Sequence, residues 1–332
     1  MIRTGRITRR RFSGAVAGLA LAAPALRTRA ADPIQLKFAT ADTMQDTSYS
    51  VSQLFADDIA KRTGGKYRMQ IFVNGALGTA LNLANSLQTG ILDGAILTSG
   101  FLESFVPTVQ VVDLPFIFKD SDSAARILDG PIGRSLFTDM EAKGFVGLEW
   151  GWYGWRQMQT RDRAVHTPDD LRGLKMRIQP GPVFAAMFKA VGAIPVALDG
   201  TEVYLALSQK TVDGLEFPLP TSVTFKVYEV CKYVAMTNHI YNAGALMISK
   251  SRWTQMTEAD RTAFREAAKG VLPYWREAIA KAADGAAGFL QQKGMQIIQV
   301  DHAAFRKKME PVLTEFRPKY PKLLDDIVAQ QA

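Results

Sequence analysis

DLRGLKMRIQPGPVFAAMFKAVGAIPVALDGTEVYLALSQKTVDGLEFP occupies residues Asp170–Pro218, and its punctuation alternates between strand and helix. Lys175-Met176-Arg177-Ile178 reads as a short strand that opens onto a Gly/Pro turn at Pro180-Gly181-Pro182. A helix over 182–191, a strand at 194–196, a helix over 201–209 and a strand at 212–215 follow. Period two places Lys175 and Arg177 on one side of their strand and Met176 and Ile178 on the other. A guanidinium at that strand end is a fixed fork of donors, suited to grip a carboxylate through two parallel hydrogen bonds. The plainer reading of Arg177 is a surface residue or a member of an internal salt bridge.

The same rhythm holds upstream. Ile34 to Phe38 alternates as a strand, and residues 48–62 carry Val51, Leu54, Phe55 and Ile59 at helical spacing before the Gly64-Gly65 stop. Tyr67 to Val73 is a strand, Gly75-Ala76-Leu77-Gly78 turns into a helix through about Gln88, and Gly94 to Leu97 is a strand. The pattern restarts with a strand at 155–160, so two α/β units are expected, with strands sandwiched by helices. Glu258 to about Gln292 is helical, with bends possible at Gly285 or Gly288, and Met295 to Val300 is a strand. Terminal helices from His302 should break at Pro311 and Pro318.

Residues 1–31 read as an export signal. A basic run (Arg3, Arg6, Arg9, Arg10, Arg11) precedes an apolar segment from Phe12 to Leu26 and then small residues. That segment has 15 residues, and a membrane-spanning helix needs about 20. Thr8-Arg9-Arg10-Arg11-Phe12 fits the twin-arginine pattern, and cleavage is expected after Ala30 or Ala31, leaving a periplasmic protein. The signal also explains the charge. The chain carries +8, from 40 Lys+Arg against 32 Asp+Glu, yet seven of the arginines and none of the acids lie in residues 1–31. Without them 33 basic residues face 32 acidic ones, which disfavours nucleic-acid binding. No later apolar run reaches membrane-spanning length, so the mature chain is expected not to span a membrane. The single cysteine, Cys231, cannot form an internal disulfide and is expected to be a small buried hydrophobe.

Catalytic motifs are scarce. His166, His239 and His302 lie far apart without zinc-ligand spacing, and there is no G-x-S-x-G elbow. GALGTALN matches neither G-x-G-x-x-G nor a Walker loop and reads as a strand-to-helix turn. Asp57-Asp58 and Asp169-Asp170 fall on helix faces or starts, where solvation and capping account for them. No metal and no cofactor is expected.

The Asp170–Pro218 stretch carries G-x-K-x-R (Gly173, Lys175, Arg177), Gly192-Ala193-x-Pro195, Glu202-Val203-Tyr204 and Val212-Asp213-Gly214. Together with Gly75-x-Leu77-Gly78, Asp113-Leu114-Pro115-Phe116 and Tyr228-Glu229-Val230, it resembles the DctP-type solute receptors of TRAP transporters across essentially the whole mature chain. The resemblance implies a two-lobed periplasmic-binding-protein-like α/β fold, a Venus flytrap with the ligand cleft between domains and long C-terminal helices. It implies discontinuous domains, 32–153 plus 242–281 and 154–241 plus 282–332. It also implies that Arg177 pairs with a ligand carboxylate and that a TRAP permease of small and large integral subunits receives the solute. A monomer is expected.

Arg156, in GWYGWRQMQT, stands where many members of that family carry a second ligand-facing arginine; a domain-boundary salt bridge is the alternative. Of the neighbouring aromatics Trp150, Trp152, Tyr153 and Trp155, which otherwise read as core or hinge packing, Trp152 is the expected ligand contact. Thr98 and Ser99 follow a strand, where α/β sheets collect ligands, and Gln179 lies just past Arg177. Glu216 and Asn242 complete the expected ligand-binding set. One departure stands out: many receptors of the family read D-G-x-E-N where this chain has Asp213-Gly214-Leu215-Glu216-Phe217. Phe217 exchanges an amide for an apolar wall, which points to a monocarboxylate with an apolar or aromatic body. Two other readings are an ABC-importer receptor, against which the K-M-R-I to D-G-L-E-F segment argues, and an exported lyase or hydrolase acting on an organic acid.

Overall fold

Alternating apolar residues form β1 (Ile34–Ala39) and β2 (Tyr67–Phe72), and a short fully buried run forms β3 (Gly94–Thr98), where the sequence predicts strands. Next come β4 (Phe145–Thr160), β5 (Lys175–Ile178), β6 (Ile194–Ala197) and β7 (Gly214–Pro218). The last strands are β8 (Tyr233–Ala235), β9 (Tyr241–Ser249) and β10 (Gln296–Ile298). The structure is a computed structural model that describes Met1 and residues 32–331, so the export-signal reading lies outside the described residues.

The strand order is β2-β1-β3-β9-β4-β7-β5-β6, with β8 joining β4 and β10. β1 is parallel to β2 and β3, and β5 is parallel to β6 and β7, which matches the two expected α/β units. What joins them differs from a simple repeat. β9 runs antiparallel between β3 and β4, and β4 changes partner along its length. Its residues up to Trp155 pair with β9, and those from Arg156 pair with β7. The register slips between Trp152 and Trp155, where Gly154 adopts φ +113°.

Three expectations need correction. β9 was not expected, because every one of its nine residues is buried and no two-residue alternation survives. β4 begins ten residues earlier than the strand read at 155–160, and β7 lies at 214–218 instead of 212–215. The helix His302–Phe316 runs through Pro311, because the proline lies on the exposed face while Phe305, Met309, Val312 and Phe316 hold the opposite face in the core. The chain does leave that helix before Pro318 and resumes at Pro321–Ala329. Cys231 is buried, which drives its thiol up to about 12.

The 35-residue helix Glu258–Gln292 crosses the β4–β9 pair at very close range. Gly151 and Gly244 are register partners there. A Cβ on Gly151 would lie 2.3 Å from the Trp275 ring, and one on Gly244 would lie 2.5 Å from Tyr153. Two hydrogens in place of side chains let Trp275 lie flat over the sheet. Gly244→Ala should therefore overpack this layer and lower stability by about 1–3 kcal/mol. A urea melt should show a lower midpoint at unchanged slope, and an unaltered midpoint would contradict the packing argument.

Candidate functional site

β5 is short and buried after its first residue, so Arg177 is carried into the interior with no exposed surface. Its Nε and Nη2 donate to the Leu198 carbonyl at 2.9 and 2.7 Å. Nη1 is buried and has no hydrogen-bond partner. No salt bridge includes Arg177 among the described residues; it is held by the Leu198 carbonyl and lies beside the Phe217 ring, 5.1 Å from the guanidinium carbon. Burial pulls its pKa down to about 10, partly opposed by Glu216, so the group stays charged at neutral pH.

Arg156 is satisfied differently. It grips Glu216 through Nε to Oε2 and through Nη2 to Oε1 at 2.7 Å, and Nη2 also donates to the Glu216 carbonyl at 2.7 Å. Both partners are fully buried. Burial raises the Glu216 carboxyl above its usual range even against two guanidinium groups. His239 Nε2 lies 3.8 Å from Glu216, but burial beside Arg156 lowers its pKa to about 3, so the imidazole is neutral and the contact is no ion pair. Glu216 thus pairs with Arg156, and Arg177 is left without a hydrogen-bonded acid.

Arg156, Arg177, Gln179, Thr98, Phe217 and Asn242 line one internal cavity of about 40 Å³. With its amide turned to satisfy both ends, Gln179 accepts from Arg156 Nη1 at 2.7 Å and donates to Thr98 Oγ1 at 3.0 Å. Asn242 Oδ1 is buried without a partner. Three other expected site residues lie outside this lining. Glu216 sits behind Arg156 as its counter-ion. Ser99 donates to Asp113 Oδ1 at 2.6 Å. Trp152 stacks on Tyr241 with ring centres 5.5 Å apart.

Asp42, Tyr153, Phe101 and Phe225 also line the cavity and were missed. Asp42 follows β1 as Thr98 ends β3, so the strand-end argument that picked Thr98 would have found it as well. Tyr153 was visible only as one aromatic in a cluster. No helix among the described residues is long and apolar enough to cross a membrane, and no cluster of three or more His, Cys, Asp or Glu there could hold a metal ion.

The DctP profile, bacterial extracellular solute-binding protein family 7, matches residues 38–319. A curated solute-binding protein of Verminephrobacter eiseniae is 36% identical over 84% of both chains. A TRAP periplasmic solute-binding protein from a Bordetella species, with density interpreted as pantoate, superposes with TM-score 0.87 at 32% identity, covering 90% of this chain and 99% of that one. One from Polaromonas, bound to D-erythronate, has TM-score 0.87 at 32% identity, covering 90% of this chain and 98% of that one. These likenesses give the fold as the expected two-lobed α/β architecture.

Two outcomes follow from the geometry. Arg156→Ala should destabilise the protein by about 3–5 kcal/mol, since it strands the buried Glu216 without its bidentate partner. Chemical denaturation would reveal this, and a loss under about 1 kcal/mol would contradict the pairing. The second concerns Glu103 and Asp113, two neighbouring carboxyls that are both fully buried. Burial raises Asp113 to about 7 and Glu103 well above the ordinary range. The folded protein therefore holds protons that the unfolded chain releases near pH 4, and this contribution to stability is lost as pH rises from about 4 through 7. Asp113→Asn should flatten that slope relative to the parent protein in melts across this range; an identical slope would exclude a raised Asp113 as its source.

Proposed function

We propose that this chain, which belongs to the DctP family of TRAP-transporter solute receptors, captures a monocarboxylate with an apolar body between Arg177 and Phe217. The family is one of transport receptors, not enzymes. The observation that carries the reading is the buried Nη1 of Arg177, which has nothing to donate to, on a guanidinium that forms no salt bridge among the described residues. A solute carboxylate would accept from Nη1 and return the hydrogen bonding and the charge balance that burial removed. Because Glu216 already pairs with Arg156, Arg177 is the guanidinium left for a solute carboxylate. Phe101, Phe217 and Phe225 supply apolar wall, in line with the pantoate assigned to the Bordetella relative.

A cavity of about 40 Å³ holds a water molecule or so and no organic acid, so entry requires the walls to part. Residues 32–153 plus 242–281 would move as one lobe and 154–241 plus 282–332 as the other. The partner change of β4 at Trp155–Arg156 and the left-handed Gly154 beside it favour a hinge there. Hydrogen bonds that cross between these segments, such as Thr224 Oγ1 to Asp46 Oδ1 at 2.8 Å and Ala80 N to Asp199 Oδ2 at 2.7 Å, would form on closure. The closed receptor, exported to the periplasm as a monomer, would hand its solute to the small and large integral subunits of a TRAP permease.

Arg177→Ala should weaken binding of a branched or aryl monocarboxylate by two orders of magnitude or more, on the order of 3 kcal/mol, with the fold intact. Arg177→Lys should recover only part of it, since an ammonium lacks the bidentate fork. Calorimetric titration tests both. Undiminished affinity in Arg177→Ala would place the carboxylate elsewhere, and binding confined to sugar acids would overturn the apolar body.

A further inference from the structure

The cavity has a second ionisable wall. Asp42 enters from the loop after β1, and its Oδ2 accepts from Tyr153 Oη and Thr40 Oγ1, each at 2.7 Å. Two donors on one oxygen fix how the carboxylate stands. Oδ1 has no hydrogen-bond partner among the described residues, and no salt bridge there includes Asp42. The cavity lining therefore offers two groups of opposite kind without a protein partner: Arg177 Nη1, fully buried, which only donates, and Oδ1 of the half-buried Asp42, which only accepts.

We propose that Asp42 is a specificity-determining residue that selects a monocarboxylate bearing a hydrogen-donating group, hydroxyl or ammonium, and rejects dicarboxylates. The inference rests on Arg177 being the carboxylate clamp. A solute held there presents the rest of its length to the other walls. A hydroxyl or ammonium reaching Asp42 donates to Oδ1. A second carboxylate has only acceptors, so it meets Oδ1 with no hydrogen to share and with like charge. That repulsion grows as closure of the site removes water from between the two carboxylates. Tyr153 and Thr40 act as positioning residues, since their bonds to Oδ2 keep Oδ1 aimed at the solute. The selection works by exclusion as much as by attraction, and a neutral amide at position 42 would lose it.

Calorimetric titration of the purified protein with length-matched acids tests this. The probes are 4-hydroxybutanoate and 4-aminobutanoate against succinate, and 5-hydroxypentanoate against glutarate. At least one donor-bearing acid of each length should bind tenfold or more tighter than its dicarboxylate partner. Asp42→Asn, which keeps an oxygen for Tyr153 and Thr40, should shrink that ratio to about one or invert it. Equal affinities in the parent protein, no binding by any donor-bearing acid at millimolar concentration, or an unchanged ratio in Asp42→Asn would each overturn the proposal. The parent ratio alone decides the matter if the variant does not fold. Arg177→Ala separates the two readings. It should weaken all acids alike without changing their ratio, and full affinity there would sink the clamp while the parent ratio still reports on Asp42.

Discussion

Burying a guanidinium strips its hydration, and a fold must return those hydrogen bonds or leave a charge in want of an anion. This protein does both within one cavity. Arg156 receives a bidentate carboxylate and a carbonyl from Glu216, and its remaining nitrogen reaches Gln179. Arg177 receives only the carbonyl of Leu198. The difference follows from where each strand lies. Arg156 sits on β4, directly paired with β7, which carries Glu216 two residues from its own register partner Pro218. Arg177 sits on β5, on the other side of β7, opposite Leu215. One acidic residue on the shared strand serves the first arginine and only biases the second by its charge.

The scaffold keeps that asymmetry in place. β4 belongs to both halves of the sheet, so the part that holds Arg156 is continuous with the part fastened to β9 and covered by Trp275. Elsewhere the segments are joined by carboxylates set at helix starts. Asp199 accepts from Ala80 N, at the beginning of the helix Ala80–Thr89, at 2.7 Å. Glu103 accepts from Val183 N, at the start of the helix Pro182–Ala190, at 3.0 Å. Each carboxylate comes from the segment proposed to move against the one it caps. These contacts are directional and can be exchanged for water when the segments part, but they lie beside apolar packing shared by both segments, where Phe101 and Val109 join one buried cluster with Val183, Phe184 and Phe188.

Much of this was legible in the sequence, and the exceptions have physical causes. The strands β1 and β2 and the helix Glu258–Gln292 were readable because one face of each pattern alternates or repeats, and β3, β5 and β6 as short apolar or alternating runs bounded by Gly or Pro turns. β9 was not, since burial on both sides erases the alternation that marks a strand. The start of β4 hid among Gly147, Trp150, Gly151 and Trp152, where glycines make room for aromatic rings instead of marking a turn. Arg177 was readable from its place before the Gly/Pro turn, but its missing counter-ion was not. Nothing in the order of residues says that Glu216 would go to Arg156, because that choice depends on strand pairing across 60 positions.

Phe217 gains a second meaning from the same geometry. Its ring lies 5.1 Å from the Arg177 guanidinium carbon and 5.9 Å from that of Arg156, so it faces both cations while lining the cavity. An asparagine at this position, as the resembling receptors often have, would offer one more hydrogen-bonding arm to a solute. A phenyl ring withholds that arm but supplies a negative π-face to charges that otherwise have too few partners. It also keeps water from the guanidinium, and so strengthens whatever hydrogen bonds the free Nη1 makes. Recognition is thereby drawn away from many weak polar contacts. It is concentrated on one charge at Arg177, with shape and the lone acceptor of Asp42 left to discriminate among the acids that carry it.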